Sequence, residues 1–472
     1  MNIGARVDVS APPGGRAQEP LSGSPTPEDE PAIDRASSLD LAMLSMDACG
    51  IHEQLGVLLL LDGPEIDLAT VRTIIGDRLS SVPRLRQHLV RLPPGFGRPI
   101  WVDVPEFQLD WHIEELQCSP AGGERGLLDL AAELATRPLP PSRPLWRVAV
   151  VPGMGQRQQA LIFVLHHTLA DGLGTLAAIT SLLDEAPGSS SPAHNRFPKA
   201  RPSWRRLSVD AARARRHAAA EIPAMLRELR ASVAPFGGFS AGRAAPCSVL
   251  HSTGPRRRFS VVRVDLATLR AWASTHGATV NETLLSAVAG ALEDVLHARG
   301  ESIDTLRIMV PVGTRRPSTG QSLGNAVAPV IVSVPVGPDR DERLRSVITR
   351  FRRARTLVVG RPMIALLGPV FRAAASVGLY RWLLHHQRRC HTEVSVVRGP
   401  EQPLTLAGTT ISSVVPFSVG DVGTMTVKFV GLTYAGTLTV SVVADPDQVP
   451  DLERLTSALS AELGESRPGI RT

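Results

Sequence analysis

The sequence predicts an α/β (α+β) fold of two lobes, each a mixed sheet with helices, joined by a connector. Three observations carry this. Apolar runs of strand length and segments of helical periodicity alternate irregularly on both sides of the midpoint. Between them, residues 186–255 open and close with Pro, Ser and Gly and enclose a basic helical piece. The chain's 472 residues, 43% of them apolar, suffice for two or three domains with real cores. The same figures exclude a wholly disordered chain, a collagen-like repeat and a small disulfide scaffold.

The elements follow in order. Residues 1–36 are rich in Pro, Gly, Ser and acids (PLSGSPTPEDEPAID) and are expected to form a disordered tail. A first lobe is expected over 37–185. Gly56–Leu61 (GVLLLL) predicts a buried strand, and Leu68, Val71, Ile74, Ile75 and Leu79 fall at helical spacing and predict a helix over Asp67–Leu89. Pro99–Val104, Trp146–Val151 and Gln159–Leu165 predict further strands, and Gly126–Ala135 a short helix.

The connector, 186–255, holds nine basic and three acidic residues between Lys199 and Arg230, a net +6 equal to the formal charge of the whole protein. It reads either as a solvated helix between lobes or as a membrane- or coenzyme-facing surface. The second lobe, 256–472, opens with a strand at Arg258–Val264 and an apolar helix at Thr279–Leu296, which Asn281 is placed to cap. Strands at Ile308–Val312 and Val327–Val336 flank a Gly/Ser loop, and a basic helical region covers Arg340–Arg389. Strands return at Thr410–Val415, Thr424–Val430 and Thr437–Val443.

Arginine carries almost all the positive charge, the lysines being Lys199 and Lys428. A basic balance suits nucleic acid, an anionic membrane face or an anionic coenzyme. Two tyrosines give no stacking platform and no helix-turn-helix or zinc-finger pattern occurs, so no nucleic-acid partner is expected. Cys49, Cys118, Cys247 and Cys390 lack CxxC or metal-ligand spacing, which predicts reduced thiols, no metal and a cytoplasmic protein. The N-terminus, MNIGARVDVSAPPGG, has no apolar h-region, so secretion is not expected. The apolar stretch Thr356–Leu384 is interrupted by Arg361, Arg372 and Arg381, so no spanning helix is expected and peripheral membrane binding stays open.

The stretch that carries chemistry is Leu161–Gly174, LIFVLHHTLADGLG: an apolar strand that ends in His166, His167, three spacers, Asp171 and Gly172. A strand delivering a polar cluster is how a scaffold presents reactive groups in a cleft. Neighbouring side chains on extended backbone point to opposite sides, so one histidine is expected to be structural and the other catalytic. An imidazole titrates near pH 6.5 and, when neutral, accepts a hydroxyl proton. Asp171 is read as an orienting or lobe-tying carboxylate, and Gly172 as the residue that lets the backbone turn. A metal site lacks further ligands nearby, and a Ser-His-Asp hydrolase lacks a GxSxG elbow.

HHTLADG matches the HHxxxDG signature of the coenzyme-A-dependent acyltransferases, which include chloramphenicol acetyltransferase and peptide-synthetase condensation domains. The surrounding chain resembles the bacterial wax ester synthase/diacylglycerol acyltransferase family. The segments that carry the resemblance are SVPRLRQHLV at 81–90, FQLDWHIEEL at 107–116 and RPLWRVAVV at 143–151 with Pro144, Leu145 and Trp146. TVNETLLSAVAGAL at 279–292 and VPVGTRRPSTGQSLGNAVAPVIVSVPV at 310–336 continue it, followed by PLTLAG at 403–408 and VPDL at 449–452.

The resemblance implies chloramphenicol-acetyltransferase-like lobes with a channel between them. It implies O-acyl transfer from acyl-CoA, a substrate rather than a cofactor, to a diacylglycerol or fatty-alcohol hydroxyl, at a membrane or lipid-body surface. His167 would be the general base, His166 and Asp171 would hold the geometry, and Arg315 is the arginine assigned to Asp171. Gly172, Pro144, Leu145, Trp146 and Asn281 would support the site structurally. No cofactor is expected, and no oligomeric state is implied. The sequence departs from the family at Asn281-Glu282, where Asn-Asp is usual, and at Ser395–Pro400, where SVVRGP replaces Ser-Asn-Val-Pro-Gly-Pro. Two alternatives therefore stand beside the main expectation: another acceptor or a carrier-protein donor, and a non-catalytic lipid-binding relative.

Overall fold

The computed structural model describes residues 33–47, 52–118, 123–153, 158–184, 197–221, 223–224, 227, 242–313, 327–337, 339–356, 379–420 and 423–464. The first half contains α1 (Ser38–Asp47), β1 (Gln54–Asp62), α2 (Leu68–Arg78), β2 (Gln87–Val90), β3 (Ile100–Asp103) and β4 (Ile113–Glu115). It continues with α3 (Gly123–Thr136), β5 (Trp146–Val151), β6 (Gln158–His166), α4 (Gly172–Leu182) and α5 (Trp204–Ala220). The second half contains β7 (Arg258–Asp265), α6 (Leu266–Thr275), α7 (Val280–Ala298), β8 (Thr305–Gly313), β9 (Val327–Pro335) and α8 (Arg340–Thr356). Then come α9 (Leu379–His385), β10 (Thr392–Arg398), β11 (Thr405–Leu406), β12 (Thr409–Ser418), β13 (Val427–Tyr434), β14 (Thr437–Ala444) and α10 (Leu452–Gly464).

Two six-stranded mixed sheets organise these elements, one in the order β11-β12-β1-β6-β5-β4 and the other β7-β14-β13-β10-β8-β9. In the first only β4 and β5 run parallel; in the second β10 runs parallel to both β8 and β13. The expected α/β architecture with two sheet-bearing lobes is therefore what the chain forms. The lobes are not contiguous in sequence, however. Strand β12 pairs with β1 from Leu55↔Ser418 to Asp62↔Thr410, so part of the range 256–472 completes the first sheet.

The apolar runs are unbroken because both faces of the first sheet are covered. On β1, Val57, Leu59 and Leu61 enter one core with α2 and α4, while Leu58 enters another with α3. On β6, Leu161, Phe163 and Leu165 join the first of these, and Ala160, Ile162 and Val164 the second. The second sheet packs α7 and α10 into a core of its own. The two sheets touch through Phe259 of β7 and Phe417 of β12, whose rings stack with centroids 5.4 Å apart.

Some boundaries differ from expectation. The helix predicted over Asp67–Leu89 stops at Arg78, because Val82 precedes Pro83 and takes φ −126°, ψ 72°, outside the helical region. The chain then makes two 3-10 turns and enters β2. The basic region Arg340–Arg389 includes the two helices α8 and α9, and β10 begins just after it, at Thr392.

Candidate active site

Strand β6 pairs along its length with β1 and β5, and this pairing carries on into the two histidines. The N–H of His166 donates to the Leu145 carbonyl at 2.9 Å, and the N–H of His167 to the Glu53 carbonyl at 2.7 Å. Both residues are thereby fixed at the backbone, from opposite neighbours. Their rings differ. His166 is buried, whereas His167 is half-buried.

The His166 ring is contacted at both nitrogens. Its Nδ1 accepts the backbone N–H of Thr168 at 3.1 Å and lies 2.8 Å from the Thr168 hydroxyl. An acceptor Nδ1 leaves the neutral ring's proton on Nε2, which lies 2.8 Å from Asp47 Oδ2 at the end of α1. The Nε2–H does not point along that line, so the contact is a close approach to the carboxylate rather than an aligned hydrogen bond.

Asp171 is the N-cap of α4: its carboxylate accepts the N–H of Gly174 at 2.8 Å and is buried. Arg315, assigned to it from the resemblance, lies outside the described residues. Gly172 does not serve a tight turn, since it is helical; what it permits is contact. A Cβ there would meet Val397 Cγ2 of β10 at 3.0 Å, so the glycine brings the start of α4 against the second sheet.

Pro144, Leu145 and Trp146 form the strand start beside His166. Leu145 supplies the carbonyl just described, and the Pro144 carbonyl accepts the Trp146 N–H at 2.9 Å. Trp146 is buried, donates Nε1–H to the Leu85 carbonyl at 2.7 Å and stacks on His112 with centroids 4.4 Å apart. Burial pushes the His112 pKa down to about 4, so this imidazole sits neutral in the stack.

Asn281 is not the cap of α7. That role falls to Thr279, whose hydroxyl accepts the Glu282 N–H while the Glu282 carboxylate accepts the Thr279 N–H at 2.7 Å, a reciprocal capping box. Glu282 stands three residues after Thr279, at the position from which a carboxylate reaches back to the cap. Burial alone would raise the Glu282 pKa, but the Arg352 guanidinium at 2.8 Å and the Thr279 donors hold it below the ordinary value. Asn281 itself is half-buried on the first turn.

The second departure, Ser395–Pro400, lies beside α4. Val397 packs into the first lobe's core. Gly399 donates its N–H to the Thr433 carbonyl at 2.9 Å, and a Cβ there would come within 2.4 Å of that oxygen and 3.5 Å of Leu176 on α4. Arg398 turns to solvent and pairs with exposed Glu401 at 2.6 Å, so the added charge stays out of the interior. Val396 packs against the second core, near Gly431.

Among the described residues no cluster of His, Cys, Asp and Glu could hold a metal. Cavities of about 220 Å³, behind α4 at Ala178 and Ser181, and about 470 Å³, at His251, His385, His386 and Arg388, are lined by neither His166 nor His167. Asp47 is the site residue that sequence reading missed; its one visible signal was an acid at the end of the helical segment SLDLAMLSMD.

Residues 36–284 match the model of the wax ester synthase/diacylglycerol acyltransferase catalytic domain, and 323–466 that of the C-terminal domain of the same enzymes. The chain is 29% identical over 441 residues to a probable diacylglycerol O-acyltransferase of Mycobacterium tuberculosis, covering 90% of this chain and 94% of that one. A putative diacylglycerol O-acyltransferase of the same species is 26% identical over 428 residues, covering 86% and 89%. In fold the chain is similar to the wax ester synthase/diacylglycerol acyltransferase of Marinobacter aquaeolei, with a TM-score of 0.64 at 19% identity over 92% of this chain and 98% of that one. The first condensation domain of the CDA synthetase gives 0.58 at 16% identity, over 94% and 98%.

Proposed function

The chain belongs to the wax ester synthase/diacylglycerol acyltransferase family and is an acyl-CoA-dependent acyltransferase, and from that premise we propose that His167 is its general base and a lipid hydroxyl its acceptor. His167 removes the proton from the hydroxyl of diacylglycerol or a fatty alcohol. The oxygen forms a bond to the thioester carbonyl carbon, the carbon–sulfur bond breaks, and the imidazolium returns its proton to the departing CoA thiolate. No acyl-enzyme is needed. The observation that supports this assignment is the division between the rings: His166 is buried and contacted at both nitrogens, while His167, the first residue of the turn after β6, is half-buried.

CoA release from palmitoyl-CoA, measured with hexadecanol, with diolein and without acceptor, tests the reading. Acceptor-dependent release is expected. Release with neither acceptor, from folded protein that binds palmitoyl-CoA, would overturn it in favour of another acceptor or a lipid-binding role.

The acceptor would be met at a membrane surface. No helix among the described residues is long and apolar enough to cross a membrane. Helix α9 instead exposes Leu379, Trp382 and Leu383, each about half accessible, at spacings of three and four that place them on one face. Leu384 is buried behind them, and Gly423 packs against its backbone. The His386 ring stacks on Trp382, and Arg388 and Arg389 are exposed just beyond. An apolar face edged by basic groups fits an anionic lipid interface. Sedimentation with phosphatidylglycerol-containing vesicles should show salt-sensitive binding that Trp382→Glu with Leu383→Glu abolishes. Equal binding by that variant would rule this face out.

A further inference from the structure

We infer that Asp47 is a positioning residue for the histidine pair, acting on both members from one carboxylate; the inference rests on the reading of His167 as the base. Asp47 Oδ2 lies 2.8 Å from His166 Nε2. Its other oxygen, Oδ1, accepts the backbone N–H of Glu53 at 3.4 Å, and the carbonyl of that same residue accepts the N–H of His167 at 2.7 Å. A single residue, Glu53, therefore separates the carboxylate from the backbone of His167, while the carboxylate itself faces the ring of His166. His52 Nδ1 stands 3.7 Å from Oδ1, so a second imidazole lies against the same carboxylate.

Helix stability does not explain an acid at this position. Asp47 is the last residue of α1, where the helix dipole disfavours negative charge, and no basic residue occupies that last turn to offset it. The Asp47 side chain keeps about 29% of its exposure, so the charge is partly hydrated, while the imidazole it faces keeps about 3%. A buried ring whose Nδ1 already accepts the Thr168 N–H must carry its proton on Nε2 when neutral, and a carboxylate beside that nitrogen favours this tautomer, which keeps Nδ1 free to accept. An acceptor Nδ1 holds the Thr168 N–H and with it the turn by which the chain leaves β6. The Glu53 link fixes the other edge. His167 lies between the two restraints.

The test compares wild type, Asp47→Ala, His166→Ala and the double variant in acceptor-dependent CoA release, with circular dichroism and thermal midpoints to confirm folding. Asp47→Ala should lower kcat by about 10²-fold, the penalty typical of a misplaced catalytic group, with KM for palmitoyl-CoA unchanged. Because Asp47 acts largely through His166, the double variant should be little worse than His166→Ala. Asp47→Asn keeps the volume and an oxygen for the Glu53 N–H but places an uncharged amide NH2 against His166 Nε2, and should lose turnover as well. Asp47→Ala or Asp47→Asn, folded and turning over like wild type, would overturn the inference, as would losses that multiply in the double variant. Wild type without acceptor-dependent turnover would instead sink the acyltransfer reading itself.

Discussion

The ends of β6 and β10 meet at the first turn of α4, yet they are built from opposite materials. At the end of β6 the interior is polar: His166, Thr168 and Asp171 are all buried, and each makes contacts specific to its orientation. At the end of β10 the contact is a matter of shape. Val397 meets Gly172, and Gly399 lies against a backbone carbonyl with Leu176 beyond, while Arg398 and Glu401 pair in solvent. Directional hydrogen bonds set ring angles; close packing sets only distance and volume. The first lobe therefore holds the proposed histidine pair by directional contacts, and the second packs against it. Substitutions on the two sides should fail in different ways.

The largest effect on stability is expected on the β6 side. Trp146→Ala removes a buried stack and the bond to the Leu85 carbonyl, and should cost about 3–5 kcal/mol in denaturant unfolding. A loss within the range of a surface change would show that the stack is not what holds the strand start.

Next comes acidification. His112 is neutral in the fold with its pKa near 4, whereas the unfolded chain takes up a proton near pH 6.5. The folded value is depressed, so its stability is fully present above pH 6.5 and is lost as pH falls towards 4. The urea midpoint of wild type should drop more steeply over that window than that of His112→Gln. Parallel profiles would contradict it.

Asp171→Ala should cost about 1 kcal/mol through the lost cap of α4, and Asp171→Asn should restore most of it. Turnover tells more. If Asn restores stability but not CoA release, the carboxylate does more at the site than start a helix. The smallest effect belongs to the β10 side: Arg398→Ala should stay within about 0.5 kcal/mol of wild type with unchanged turnover, because its ion pair is exposed.

Much of this contrast was legible before the structure. The runs GVLLLL, WRVAVV and QALIFVL read as strands because each is covered on both faces and so carries apolar residues without a break. HHTLADG was legible as a motif, and Trp146 as structural support for it. What was not legible depends on contacts remote in sequence. TEVSVVR of β10 alternates with polar residues and follows a basic segment, so it did not stand out as a strand. The return of β12 to pair with β1 is set by tertiary packing, which no local pattern encodes. Asp47 meets His166 only once that packing is complete. The cap of α7 was misread by two residues because Asn281 and Thr279 are both good capping residues, and only Glu282 three positions on distinguishes them.

The division of labour between the two histidines is the claim on which the rest depends, and turnover of His167→Ala beside bound palmitoyl-CoA tests it most directly. Folded His167→Ala should bind palmitoyl-CoA like wild type and lose about 10²–10⁴-fold in kcat, the contribution of a placed general base. Turnover within a few-fold of wild type would contradict the account and move the base elsewhere.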